Sequence, residues 1–271
     1  MMSELMGAIN IGEKFFSFFR YLFKRNNKVI FLHSNVKQMS EEDYDGVVKR
    51  LNYSKYNVQS KKKKINAPKW FLFRTKLALY KIYRDNSKIV NFTYGGFVSV
   101  PLSIYDGYVI GDNHNCTFIC VNRDNNEVYK LEYKKNKINS DLSKINFPKQ
   151  CSEVALIINS SFRISENNIC YPIIKLDFLC DKQINNEYLN KMYSYVFDIL
   201  SKCKDMGILK VHLYCSSLQP ISFIIGTAIQ TYHPQVIVYE FFNGEYTWGF
   251  DIKKGQYVKG KIKNGNIKTI A

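Results

Sequence analysis

Two stretches of this chain repeat one another, and the repetition constrains the fold more than any other feature. The segment "PLSIYDGYVIGDNHNCTFICVNRD" (101–124) aligns without a gap, 119 positions later, with "PISFIIGTAIQTYHPQVIVYEFFN" (220–243). Pro101 meets Pro220, Ser103 meets Ser222, Gly107 meets Gly226 and His114 meets His233, and the apolar runs coincide. A proline opening an apolar run after a small-residue turn marks a strand-to-helix junction. Each copy therefore reads as helix, strand, tight turn, strand. Upstream, "IVNF" precedes the first helix and "VHLY" the second, with extra residues needed in "TYGGFVSV".

The elements around the copies follow the same order. "KVIFLHSN" reads as a short buried strand, and "SEEDYDGVVKRL" as a helix start, with Ser40 and the acids after it forming the first turn. An aromatic-rich helical run spans 70–84, and the basic loop "QSKKKKINAPK" before it reads as solvated. "CTFICVNR" and "EVYKLEY" are strands about the turn "DNN". Beyond a polar seam at 134–150, "EVALIINSS" and "CYPIIKLDFL" are strands. Leu189, Met192, Val196, Ile199, Leu200 and Cys203 then share one face of a helix that stops at Gly207. "LKVHLYCSS", a helix opened by Pro220, "QVIVYEFF" and "YTWGFDI" complete the second set. Strands alternating with helices imply parallel strands in an open α/β sheet. Two copies in one chain can pack as a homodimer would, about a pseudo-twofold axis. The strand ends and helix N-termini of both copies would then share one basin, where backbone amides attract anions.

Composition narrows the function classes. A hydrophobic fraction of 46% with 15% aromatics excludes a disordered chain. No run of about 18 uncharged apolar residues is present to span a bilayer. The start "MMSELMGAINIGEKFF" lacks a secretory cleavage pattern, so a cytoplasmic protein is expected. Cys116, Cys120, Cys151, Cys170, Cys180, Cys203 and Cys215 form no CxxC pair, and buried reduced thiols are expected with no metal site. The formal charge of +16 points to an anionic partner: nucleic acid, nucleotide or membrane surface. Ile11, Phe15, Phe18, Phe19 and Leu22 follow helical spacing among Lys14, Arg20, Lys24 and Arg25. Residues 1–27 thus read as an amphipathic helix suited to a partner, to peripheral membrane contact, or to packing on its own chain.

No GxSxG, HExxH, Walker or CxxC motif occurs, and no enzyme active site is recognisable. His212 reads as a core histidine in a buried strand, His114 and His233 as a duplicated structural pair, and Trp248 as core.

The segments "IVNFTYGGFVSVPLSIYDGYVIGD", "CSEVALIINSSFRIS" and "VHLYCSSLQPISFIIGTAIQTYHPQVIVYE" with "YTWGFDI" resemble the SAVED domain, over roughly residues 28–252. This domain is the sensor module of bacterial anti-phage (CBASS) signalling. The resemblance implies an α/β fold of two fused Rossmann-like, CARF-like halves related by pseudo-twofold symmetry, at 28–140 and 141–271. It implies a cyclic di-, tri- or tetranucleotide as ligand, held between the halves, with no cofactor and no stable DNA binding. Carried over by position, the ligand-facing strand ends lie at 33–36, 94–99, 160–163 and 216–219. The candidate ligand residues are Ser34, Asn35, Tyr94, Gly95, Gly96, Phe97, Ser160, Ser161, Phe162, Arg163, Ser216, Ser217 and Gln219. The glycines would admit a phosphate to the backbone and the serines donate to it; Arg163 would pair with it, and Tyr94, Phe97 and Phe162 would stack on bases. Family members carry an effector beside the sensor, and only 27 residues precede the sensor here. A separate effector or self-association on ligand binding is therefore expected. The alternatives are a ring nuclease, which needs only to align a ribose hydroxyl with its phosphate, a protein that sequesters the signal, and a general basic nucleic-acid binder, which would show steep salt dependence.

Overall fold

The computed structural model describes residues 28–34, 47–52, 73–78, 80, 91–95, 98–112, 115–121, 128–136, 138–167, 169–179, 184–242, 245–259, 262–263 and 266–267. The expected amphipathic helix at 1–27 lies outside these residues, as do Ser40, His114 and Cys180.

Two sheets carry the chain. The first contains β1 (Lys28–Ser34), β2 (Val47–Asn52), β3 (Asn91–Gly95), β4 (Asn115–Val121) and β5 (Val128–Tyr133), in the order β2-β1-β3-β4-β5. The second contains β6 (Glu153–Asn159), β7 (Ile173–Asp177), β8 (Lys210–Ser216), β9 (Gln235–Phe242), β10 (Glu245–Asp251) and β11 (Gln256–Lys259), in the order β11-β10-β9-β8-β6-β7. In each sheet the first four strands are parallel and the fifth returns antiparallel. Apart from the extra β11, the two orders are one topology stated twice. A final small ribbon pairs β12 (Ile262–Lys263) with β13 (Asn266–Ile267).

Besides a helical run at 73–78, the described residues form the helices α1 (Val100–Ile110), α2 (Asn186–Asp205) and α3 (Gln219–Ala228). The proline after the first residue of α1 and of α3 needs no N–H and arrives with a helical φ. α2 starts on Asn185, whose side chain accepts the Tyr188 amide, and its predicted face, Leu189 to Cys203, is buried. It ends in a Schellman turn: Gly207 (φ 75°) donates to Lys204 O, and Ile208 to Cys203 O.

Sheet register shows how the copies correspond. Asn91 pairs with Asn115 in the first sheet, and Lys210 with Gln235 in the second. Strands β3 and β8 thus match at the same 119-residue offset as the helices, and no extra residues are needed in "TYGGFVSV". The added residue instead precedes β9, which matches β4 at an offset of 120. Core facing agrees: Phe92, Tyr94, Cys116 and Phe118 face the helices in one sheet, and Val211, Leu213, Val236 and Val238 in the other. The ungapped alignment is therefore corrected beyond the helix. A second correction falls in "SEEDYDGVVKRL", where 47–52 is not helical but strand β2, paired in parallel with β1. Sheet pairing overrides the local helix signal there.

α1 and α3 form the layer shared by the two sheets, and their contact is reciprocal. A Cβ on Gly107 would lie 1.9 Å from Phe223 O, and one on Gly226 would lie 2.0 Å from Ile104 O. Ile104 is the match of Phe223 and Gly107 that of Gly226, so each helix meets the other as a twofold axis requires. Phe223 of α3 enters the aromatic core of the first sheet, with ring centroids 4.4 Å from Tyr94, 5.5 Å from Phe118 and 5.9 Å from Phe92. The segment 134–150 straps α2: Asn136 N donates to Asn190 Oδ1 (2.7 Å) and Lys202 lies over the Phe147 ring.

The outer face of the second sheet holds His212, fully buried, with Nδ1 2.9 Å from Tyr239 OH and Nε2 2.9 Å from Glu153 Oε2. Burial holds its pKa below the usual histidine value against the pull of Glu153. Trp248 is partly buried against the core. Cys116, Cys120, Cys203 and Cys215 are buried free thiols, but Cys170 is exposed.

Candidate functional site

The carboxyl ends of β6 and β8 and the first turns of α1 and α3 gather at one end of the helix pair. Ser103 Oγ of α1 donates to Gln219 O of α3 at 3.2 Å, which ties the two helix N-termini together. Both first turns are free of acidic and basic residues. The basin over the two N-termini is thus bordered by partial positive charge from both helices.

Its rim in the second half is rigid. Ser160 N and Ser161 N both donate to Ser216 O (3.0 and 2.8 Å), and Ser216 Oγ donates to Phe162 O. Asn159, fully buried, brackets the turn: its Oδ1 accepts Ile164 N at 2.8 Å and its Nδ2 donates to Asp177 at 2.6 Å. Held on this frame, Ser161, Phe162 and Arg163 are three consecutive exposed residues. Phe162 is 52% exposed, and its centroid lies 6.5 Å from that of Phe241, itself 47% exposed.

The candidates divide into available and committed groups. Ser161, Phe162 and Arg163 face solvent, and no carboxylate pairs with Arg163 among the described residues. Ser217 is partly buried and donates to Ser222 Oγ (2.7 Å), which donates to Leu218 O in the first turn of α3. Ser160 and Ser216 are buried, and their hydroxyls serve Tyr188 OH and Phe162 O. Gln219 contributes its carbonyl to Ser103. Gly95 is buried at the end of β3.

Tyr94 is a correction: it was expected to stack on a base, but its ring is fully buried against Phe223. Its side chain falls on the helix-facing side of β3, and its hydroxyl donates to the buried Asp106 carboxylate at 2.6 Å. Burial and Asp106 push its pKa well up. Tyr94→Phe should cost about 1 kcal/mol, the net value of an intramolecular hydrogen bond, read by urea denaturation. Asn35, Gly96 and Phe97, and the side chain of Ser34, lie outside the described residues.

Sequence reasoning missed Tyr188, Glu240 and Phe241, and it placed Ser99 only within the strand end at 94–99. Ser99 is the N-cap of α1, yet its buried hydroxyl makes no capping bond. Glu240, partly buried, stands on the helix-facing side of β9 with Val236 and Val238, and its carboxyl lies at the Val100 N–H; burial pushes its pKa up to about 8. An acid inside the apolar run "QVIVYEFF" was the available signal. Beside Tyr188, an open cleft of about 420 Å³ is lined by Asp177, Phe178, Asn185, Glu187 and Lys191. Among the described residues no His, Cys, Asp or Glu cluster could hold a metal ion, and no helix is long and apolar enough to cross a membrane.

Residues 76–252 match the family model of SAVED, the SMODS-associated and fused to various effectors sensor domain. The chain belongs to the SAVED family. Its fold is similar to that of the Acinetobacter baumannii Cap4 SAVED/CARF-domain containing receptor. The structure of that receptor with the cyclic trinucleotide 2′3′3′-cAAA gives a TM-score of 0.57 at 17% identity, over 84% of this chain and 51% of that one. The structure with 3′3′3′-cAAA gives 0.58 at 15% identity, over the same shares. The Moraxella osloensis Cap4 receptor gives 0.51 at 16% identity, over 82% and 48%. This SAVED chain spans about half the length of those receptors. No curated protein matches it.

Proposed function

We propose that this SAVED chain is a receptor for a cyclic oligonucleotide second messenger in anti-phage defence. Its two halves, 28–140 and 141–271, close on the ligand over the joined first turns of α1 and α3. The observation that carries this reading is the Ser103–Gln219 bond at the reciprocal helix contact, because it joins the two helix ends into one site on the pseudo-twofold axis. A ring of phosphates with near-symmetry of its own fits such a site better than a linear strand. The Cap4 receptors with bound cyclic trinucleotides support the ligand class. Ser161 and Arg163 are the phosphate donors, and Phe162 with Phe241 offers stacking surface.

Calorimetric titration with 3′3′3′-cyclic triadenylate and linear triadenylate tests the reading. The cyclic form should bind at least tenfold tighter, since ring closure lowers the entropy cost of presenting several phosphates together. Equal binding of both forms, weakening together with salt, would establish the general nucleic-acid binder instead. Arg163→Ala should weaken the cyclic ligand by about 2 kcal/mol through a lost charged contact, and an unchanged constant would remove Arg163 from the site.

Output runs through a separate effector or self-association, with residues 1–27 as the docking element. A chain starting at Asn26 should bind ligand normally and lose self-association, effector recruitment or vesicle binding. An insoluble truncated chain would place that segment in the core of the first half.

A further inference from the structure

The two ends of the basin are built from matched elements but are not equivalent. In α1 the first-turn amides are engaged: Leu102 N and Ser103 N bond Ser99 O (3.1 and 3.0 Å), Pro101 has no N–H, and Val100 N faces the Glu240 carboxyl. In α3, Ser222 N bonds Leu218 O and Pro220 has no N–H, whereas the amides of Gln219 and Ile221 meet no acceptor among the described residues. Glu240 comes to α1 from β9, a strand of the other half. The register rows that pair Lys210 with Gln235 and Asn91 with Asn115 make Cys120 its match in the first half. Cys120 is a buried thiol that brings no carboxylate to α3.

A carboxyl at a helix N-terminus occupies the place that a phosphate would take. It holds there without a countercharge, since no Lys or Arg pairs with Glu240 among the described residues. We infer that Glu240 is a specificity determinant of the basin: it closes the α1 end to phosphate, leaves the α3 end to receive it, and so limits how many phosphates of a cyclic ligand are held at once. The inference rests on the receptor reading above. On this view the ligand sits in one orientation, and larger rings are disfavoured because a further phosphate would meet Glu240.

The test is titration of the full chain and its Glu240→Cys variant, which restores the residue of the first half, with cyclic di-, tri- and tetraadenylate. The variant should shift the ratio of tetranucleotide to dinucleotide affinity by at least tenfold in favour of the tetranucleotide. Ratios within about twofold of the original chain would overturn the inference. So would a folded variant that loses all three ligands, because Glu240 would then hold the ligand. If Glu240→Cys does not fold, Glu240→Asp keeps the carboxyl but withdraws it from Val100, and the same shift decides. Binding of none of the three by the unaltered chain would instead defeat the receptor reading itself.

Discussion

Gly226→Ala is expected to destabilise the protein by about 3 kcal/mol or more, at the upper end of overpacking costs. Its new Cβ would lie 2.0 Å from Ile104 O and 2.8 Å from both Ile104 C and Tyr108 N. Those atoms are backbone, so no side-chain rotation relieves the clash, and the helices must separate. Separation would also draw Phe223 away from Phe92, Tyr94 and Phe118, spreading the cost into the core. Gly107→Ala should behave alike, since its Cβ would meet Phe223 O at 1.9 Å. The double variant should cost less than the sum, because helices already separated by one methyl accommodate the second. Urea denaturation gives the three values, and single-variant losses under about 1 kcal/mol would contradict the close contact.

The second large effect is an acid instability centred on His233. The ring is 4% exposed, with Nδ1 accepting the Gln230 amide (3.1 Å) and Nε2 placed to donate to Ser201 Oγ (3.1 Å). Burial, with the Lys253 and Lys204 ammonium groups nearby, pushes its pKa down to about 4. Protonation would set a proton against the Gln230 N–H. Because the folded value lies below the unfolded value near 6.5, the unfolded chain binds more protons between the two. The stabilisation from a neutral His233 is therefore complete above about pH 7 and declines as pH falls from 6.5 to 4, by about 3 kcal/mol in all. His212, also held neutral by burial, acts in the same direction. His233→Gln keeps a donor for Ser201 but cannot titrate. Its denaturation midpoint should fall less between pH 6.5 and 4 than that of the original chain, and parallel pH profiles would contradict the assignment.

The strand and helix order was legible because each element is buried on a recognisable period. β6 and β8 are continuous apolar strands buried from their second residue onward, and α2 buries the face its spacing marks out. The repeat was legible because Gly107 and Gly226 tolerate no side chain, while Pro101 and Pro220 fix both helix starts. The single residue added before β9 was not legible, since it falls in a turn where apolar runs still overlap when slipped by one. β2 was missed because the acids before it read as a helix start, and only its pairing with β1 reveals a strand there. Tyr94 shows the same limit at the site. A strand end alternates between the ligand side and the core side, and only register tells which side a residue takes. Ser160 and Ser216 read as free donors because no sequence feature shows that the 160–163 turn folds onto the end of β8.

The central claim is that one cyclic ligand spans both halves over the paired helix ends. Hydrogen–deuterium exchange with and without 3′3′3′-cyclic triadenylate tests it most directly. The account predicts slowed exchange together in the first turn of α1 (residues 100–103), the first turn of α3 (219–222) and the 160–163 turn. Protection confined to a single half, or no change at either helix start in a chain saturated with ligand, would contradict it.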